Sequence, residues 1–173
     1  ARGDCSTYSI GFRAPSLQDL AAVALSHVDG ERLLGDAGRA ATVDPLALDR
    51  MTVAAVREHL ADLWADATVL AHALGELVTE PKAWLAPEAP DEATAVTVGD
   101  RVILAHGARI ATWGEATVFV NGAAYAVSCG DDAALVRALA ARTSVAAGDF
   151  PAAGPLIEAL LADGAVVKKE DGL

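Results

Sequence analysis

One stretch, Pro81 to Glu92 (PKAWLAPEAPDE), divides this chain into two parts with different hydrophobic periods. It holds three prolines and several acids. Proline lacks a backbone donor and pushes the residue before it out of the helical region, so such a segment reads as a linker. Before it, apolar residues recur at helical spacing. After it come short β-prone runs punctuated by glycine. The expected fold class is α+β.

In the first part, Ser16 followed by Leu17-Gln18-Asp19 resembles a capping box, with aspartate in place of the usual Glu or Gln. A helix is expected from Leu17 to His27, burying Leu17, Leu20, Ala21, Ala24 and Val28, and stopped by Asp29-Gly30. Glu31 to Thr42 is expected to be a short helix at best, then loop. A second helix begins near Leu46 or Thr52 and carries Val53, Val56, Leu60, Leu63 and Trp64 opposite Arg57, Glu58 and Asp62. Asp66 is placed to cap a third helix carrying Leu70, Leu74, Leu77 and Val78. Alanine is the commonest residue, 40 of 173, and small residues let helices approach closely. The region predicts a small bundle whose Ala-lined apolar surface suits a partner helix or a second copy of the chain.

Beyond the linker, Val102–Leu104, Ala108–Trp113, Thr117–Val120 and Ala124–Val127 read as strands. Asn121-Gly122 between two of them is a hairpin signal. Two helices are expected next: Asp131 to Arg142 with Leu135, Val136 and Leu139 inward, then Ala153 to Ala162 with Leu156, Ile157, Leu160 and Leu161 inward. Ala165 to Lys169 reads as a last strand. Strands, two helices and a strand fit a winged-helix-like module.

Charge excludes a nucleic-acid role. Thirteen Lys+Arg oppose 24 Asp+Glu, a net of −11, and gripping phosphates requires a basic face. The helix Ala153–Ala162 holds Glu158 and no side chain suited to base edges. Neither nucleic acid nor membrane is an expected partner, since no apolar run approaches the ~18 to 20 residues of a membrane span. Cys5 and Cys129 fit no metal spacing and read as buried reduced thiols of a cytoplasmic protein.

No complete active site is spelled out. His27-Val28-Asp29 matches the HxD of a two-His, one-carboxylate iron site, but it sits at a helix end with no second histidine converging on it. His27 there suits the helix dipole. His59 and His72 read as partly exposed helix residues, and His106 falls in a turn. Ser6, Thr7 and Ser9 lack a nucleophile elbow or an activating histidine. Trp64, Trp84 and Trp113 read as core or interface fillers. No residue is assigned a catalytic or metal-binding role.

Residues 5–12, CSTYSIGF, form a strand pattern with Ser6, Tyr8, Ile10 and Phe12 on one face. No comparable strand follows for about ninety residues, so its backbone groups need partners from elsewhere. The run TYSIGFRAP (7–15) with Ser16-Leu17-Gln18-Asp19-Leu20 resembles a signature of the bacterial ribosomal oxygenases. These are JmjC-type cupin enzymes that hydroxylate an arginine of a large-subunit ribosomal protein. The resemblance implies a residual last strand of a cupin (JmjC) barrel at 1–15 and a helical dimerisation bundle at 16–80. A Pro/acid-rich linker at 81–95 and an acidic C-terminal winged-helix domain at 96–173 complete the layout.

It further implies that the intact enzyme uses Fe(II) and 2-oxoglutarate, with the iron-binding HxD and second histidine upstream of Ala1 and no cofactor bound to this span. The absent initiator methionine is read the same way. Thr7 and Ser9 are then the candidate cofactor-binding residues, facing the barrel interior. Expected partners are a second copy of the chain and a ribosomal protein. The competing expectation is a self-contained acidic winged-helix interaction module, in which 5–12 pairs with the 102–127 strands.

Overall fold

The computed structural model describes residues 15–28, 49–82 and 95–169. The 5–12 strand, most of the Pro/acid-rich linker and the 31–42 segment lie outside the described residues. So do Cys5, Thr7, Ser9, Asp29 and Trp84.

Helix α1 spans Leu17–Ser26, and the Ser16 hydroxyl accepts the Asp19 N–H at 3.0 Å. Its burial starts a turn later than expected. Leu17 is 84% exposed, Leu20 and Ala21 are half-buried, and Ala24 is fully buried. Helix α2 spans Arg50–Ala65, capped by Asp49, whose carboxylate accepts the Met51 and Thr52 N–H groups. No residue of α2 is fully buried; Val56 and Leu63 are half-buried, whereas Val53, Leu60 and Trp64 are exposed. Asp66 closes α2 and caps α3 (Ala67–Thr79), accepting the Thr68 N–H at 2.8 Å.

The face that α3 buries departs from the expected leucine stripe. Ala73, Gly75 and Thr79 are buried, whereas Leu74 and Val78 are exposed. The reason is close approach: a small-residue face lets the helix axis come down onto an aromatic ring of the next region.

That region begins with β1 (Arg101–Leu104), followed by a meander of β2 (Ile110–Trp113), β3 (Thr117–Val120) and β4 (Ala123–Ala126). Next come α4 (Gly130–Ala140), a two-residue β5 (Val145–Ala146), two single 3₁₀ turns, α5 (Gly154–Ala162) and β6 (Val166–Lys168). Two antiparallel three-stranded sheets result, ordered β5-β1-β6 and β2-β3-β4. The β3–β4 hairpin pairs Val120 with Ala123 across Asn121-Gly122, whose φ values of 52° and 84° are the positive pair a type I′ turn requires. The expected inward residues of both helices, Leu135, Val136 and Leu139 with Leu156, Ile157, Leu160 and Leu161, are all buried. They share one core with Val102, Val118 and Val166.

Strand alternation makes β3 two-sided. Val118 and Val120 face this core, and Phe119, 1% exposed, faces α3. Sheet β2-β3-β4 is therefore the middle layer between helices of both halves. Trp113 is 50% exposed and Trp64 is also exposed, so neither fills a core. β5 escaped the sequence reading because two residues carry no period.

Candidate functional site

The described residues do not assemble a catalytic centre from the sequence candidates. Thr7 and Ser9 lie outside them. His27 is the C-cap of α1, and its Nε2 lies 3.1 Å from Glu76 Oε2 on α3. His72, one turn before Glu76, sets its ring edge against Phe119, with centroids 5.3 Å apart. His59 and His106 are exposed on α2 and in the turn after β1. Among the described residues, no group of three or more His, Cys, Asp or Glu side chains could hold a metal ion. These described residues do not fit an iron centre.

What the chain does build is a junction. A Cβ added at Gly75 would lie 2.4 Å from the Phe119 ring, so only glycine lets α3 seat there. Burying that ring contributes about 2 to 3 kcal/mol. One turn on, the buried Thr79 hydroxyl donates to the Gly75 carbonyl at 2.7 Å and accepts the Gly122 N–H at 3.0 Å. The Arg109 guanidinium donates to the Val78 and Glu80 carbonyls at the end of α3, where cations complement the helix dipole. Asn121 accepts the Arg109 N–H with its side chain at 3.0 Å and so fixes the hairpin tip against the same helix end. Sequence reading missed this junction. Its one visible signal was a glycine inside a helical period, which implies a packing reason.

Two grooves open on the C-terminal region. One, of about 550 Å³, lies between the β2–β3 turn and α4, lined by Thr112, Glu115, Ser128, Cys129 and Arg137 among others. Cys129 is half-buried here rather than buried as expected, because it is the N-cap of α4. The Asp132 carboxylate accepts the Ser128 and Cys129 N–H groups at 2.7 and 3.1 Å, tying down that helix start. The second groove, about 510 Å³, runs beside β4 and the start of α5. At its side the Tyr125 hydroxyl donates to the Asp163 carboxylate. Burial, reinforced by that carboxylate, pushes the phenol well above its ordinary value, so it stays protonated and acts as a lock between β4 and the end of α5. Neither groove holds a nucleophile–base pair among its polar groups.

Among the described residues, no helix is long and apolar enough to cross a membrane. No protein-family model matches the chain, and no curated protein matches it. Solved structures do. The ribosomal oxygenase YcfD of Escherichia coli superposes with a TM-score of 0.67 at 19% identity, over 92% of this chain and 48% of that one. The same protein in complex with cobalt and 2-oxoglutarate gives 0.65 at 20% identity, over 93% and 48%. Its complex with cobalt and succinic acid gives 0.64 at 20%, over 92% and 48%. This chain thus spans about half the length of the chains it matches, and at that identity the likeness is one of fold: a mixed helix-and-sheet architecture shared with about half of a ribosomal oxygenase.

Proposed function

We propose that this chain is the dimerisation and winged-helix region of an Fe(II)- and 2-oxoglutarate-dependent oxygenase that hydroxylates a ribosomal protein in the cytoplasm. The observation that carries the reading is the fold match along more than nine-tenths of the chain to about half of YcfD. TYSIGFRAP at 7–15 adds a local resemblance to the same enzymes. Residues 1–15 are then the terminal strand of the cupin barrel, 16–80 the dimerisation bundle, 81–95 the linker and 96–173 the winged helix.

In this reading two histidines and one aspartate of the intact enzyme, none of them in this chain, would hold Fe(II), and the metal with 2-oxoglutarate would supply the oxidising chemistry. Thr7 and Ser9 would be the enzyme's co-substrate-binding residues, since a hydroxyl can donate to a carboxylate or to a water. The bundle supports the barrel, and its exposed apolar side chains on α1, α2 and α3 cover one another between two copies. The fixed contacts of α3 on Phe119 and Gly122 then orient the winged helix relative to that dimer.

The test compares two proteins. A polypeptide extended upstream through the HxD and histidine is expected to turn over 2-oxoglutarate in an iron-dependent way with a ribosomal-protein substrate. The 173-residue chain alone is expected to show none, and to scatter light as a dimer at micromolar concentration. Stoichiometric iron with turnover in the short chain, or an inactive extended protein, overturns the reading.

A further inference from the structure

Among the described residues, the outer edge of β4 is open. Sheet β2-β3-β4 ends at this strand, and ladder geometry says which of its groups are free. Val127 donates its N–H to Ala116 at 2.8 Å. Bonded and non-bonded pairs alternate in an antiparallel ladder, so the next bonded pairs are Val118–Tyr125 and Val120–Ala123. Ala124 and Ala126 therefore turn their N–H and C=O groups away from β3, and both residues are exposed. Edge strands are normally blunted by lysine, proline, a bulge or a covering element. β4 reads AAYA and has no such residue.

Beside this edge the second groove is lined on the α5 side by Pro155, Leu156 and Ala159. That is the face of β4 from which Tyr125 reaches Asp163. No lysine or arginine lines the groove, and its Asp132 is buried and taken up by the Ser128 and Cys129 N–H groups. Glu158 is exposed one residue before Ala159. On the opposite face, the Glu80 Cα lies 3.7 Å from the position a Cβ on Gly122 would take, next to the start of β4. An added strand would thus meet apolar surface on one face, with the exposed Glu158 next to the lining residue Ala159, and Glu80 near the start of the strand on the other.

We propose that β4 accepts an extended segment of a partner protein as a fourth strand, one that alternates apolar with lysine or arginine side chains. Backbone bonds to Ala124 and Ala126 hold it, and the Pro155–Leu156 surface with Glu158 and Glu80 selects its sequence. The charge argument favours a basic partner over a second copy of this chain, whose net charge is −11. The inference does not depend on the oxygenase reading.

The probe is a fluorescent peptide of alternating valine and lysine, titrated into the full chain with amide exchange followed by NMR. Binding is expected to slow exchange of the Ala124 and Ala126 amides. Ala126→Pro deletes one outward N–H at an edge position that tolerates proline, and is expected to weaken binding about tenfold. Glu80→Lys combined with Glu158→Lys leaves the edge intact and is expected to transfer preference to an alternating valine–glutamate peptide. This second variant decides the matter if the proline variant does not fold. Peptide binding that leaves both amides unprotected, or equal affinity in every variant, overturns the proposal. So does self-association that protects the same amides without peptide.

Discussion

The two halves of the molecule bury their apolar residues to very different extents. In residues 95–169 the large aliphatic side chains of both helices converge on one core, and Leu135, Leu139 and Leu160 are wholly buried. In α1 to α3, the residues fully buried are Ala24, Ala73, Gly75 and Thr79, all small. Leu17, Met51, Val53, Leu60, Trp64 and Leu74 remain exposed. The C-terminal half therefore has a core of its own. The helices instead lean on a sheet that belongs to the other half, and keep an apolar surface fit for association.

The sharpest way to break this contrast is a matched pair of truncations. Leu139→Ala removes a wholly buried side chain and should lower unfolding free energy by about 2 to 5 kcal/mol. Leu60→Ala, on the exposed face of α2, should change it by no more than about 0.5 kcal/mol at low chain concentration. Denaturant melts of both proteins check this. Equal losses would mean that α2 is packed within the single chain.

A mutation at the seam tests how far the halves are coupled. Gly75→Ala gains helix propensity, about 1 kcal/mol, but forces a methyl to within 2.4 Å of the Phe119 ring. Overpacking of that kind costs about 1 to 3 kcal/mol, and the ring is wedged between α3 and the core, with little room to yield. The expected net is a loss of about 1 kcal/mol, with chemical-shift changes centred on Phe119, His72 and Thr79. If Gly75→Ala is instead stabilising, α3 is seated loosely and the halves melt independently.

How much of this was legible beforehand follows from the range of the interactions involved. Ser16, Asp49 and Asp66 act within one turn: the caps at Ser16 and Asp66 are legible in the sequence, whereas the pattern leaves the α2 start at Leu46 or Thr52 and the Asp49 cap fixes it at Arg50. Asn121-Gly122 is equally local, although β4 begins at Ala123, one residue before the expected run. The inward faces of α4 and α5 followed from period alone, because a single-chain core enforces it. The period misled at α3, where Leu74 and Val78 looked inward but the helix seats through Gly75 and Thr79. That choice is made by Phe119, some forty residues away, and no local pattern records it. The site candidates are a different case. Thr7 and Ser9 lie outside the described residues, and the groups that matter at β4 are backbone amides, which have no residue-type signature.

The smallest expected effect lies at the entry to the C-terminal half, where Lys168 holds the segment before β1. Its ammonium meets the Asp100 carboxylate at 2.8 Å and donates to the Ala95 carbonyl at 2.8 Å. The Lys168 hydrogen bond, helped by the Thr97 N–H, holds the Asp100 carboxyl at about 2 against an ordinary 3.8. A depressed carboxyl stabilises the fold above its unfolded value and loses that contribution as pH falls through the folded one. The acid-dependent window is therefore about pH 4 to 2. Lys168→Met should move the Asp100 titration, read from its carboxyl carbon by NMR, up toward 3.8 and flatten the stability slope in that window. Because the pair is solvent-exposed, both that slope and the matching loss at neutral pH should be small. An Asp100 titration unmoved by the substitution would shift the tether to the Thr97 N–H, leaving Lys168 to act only through Ala95.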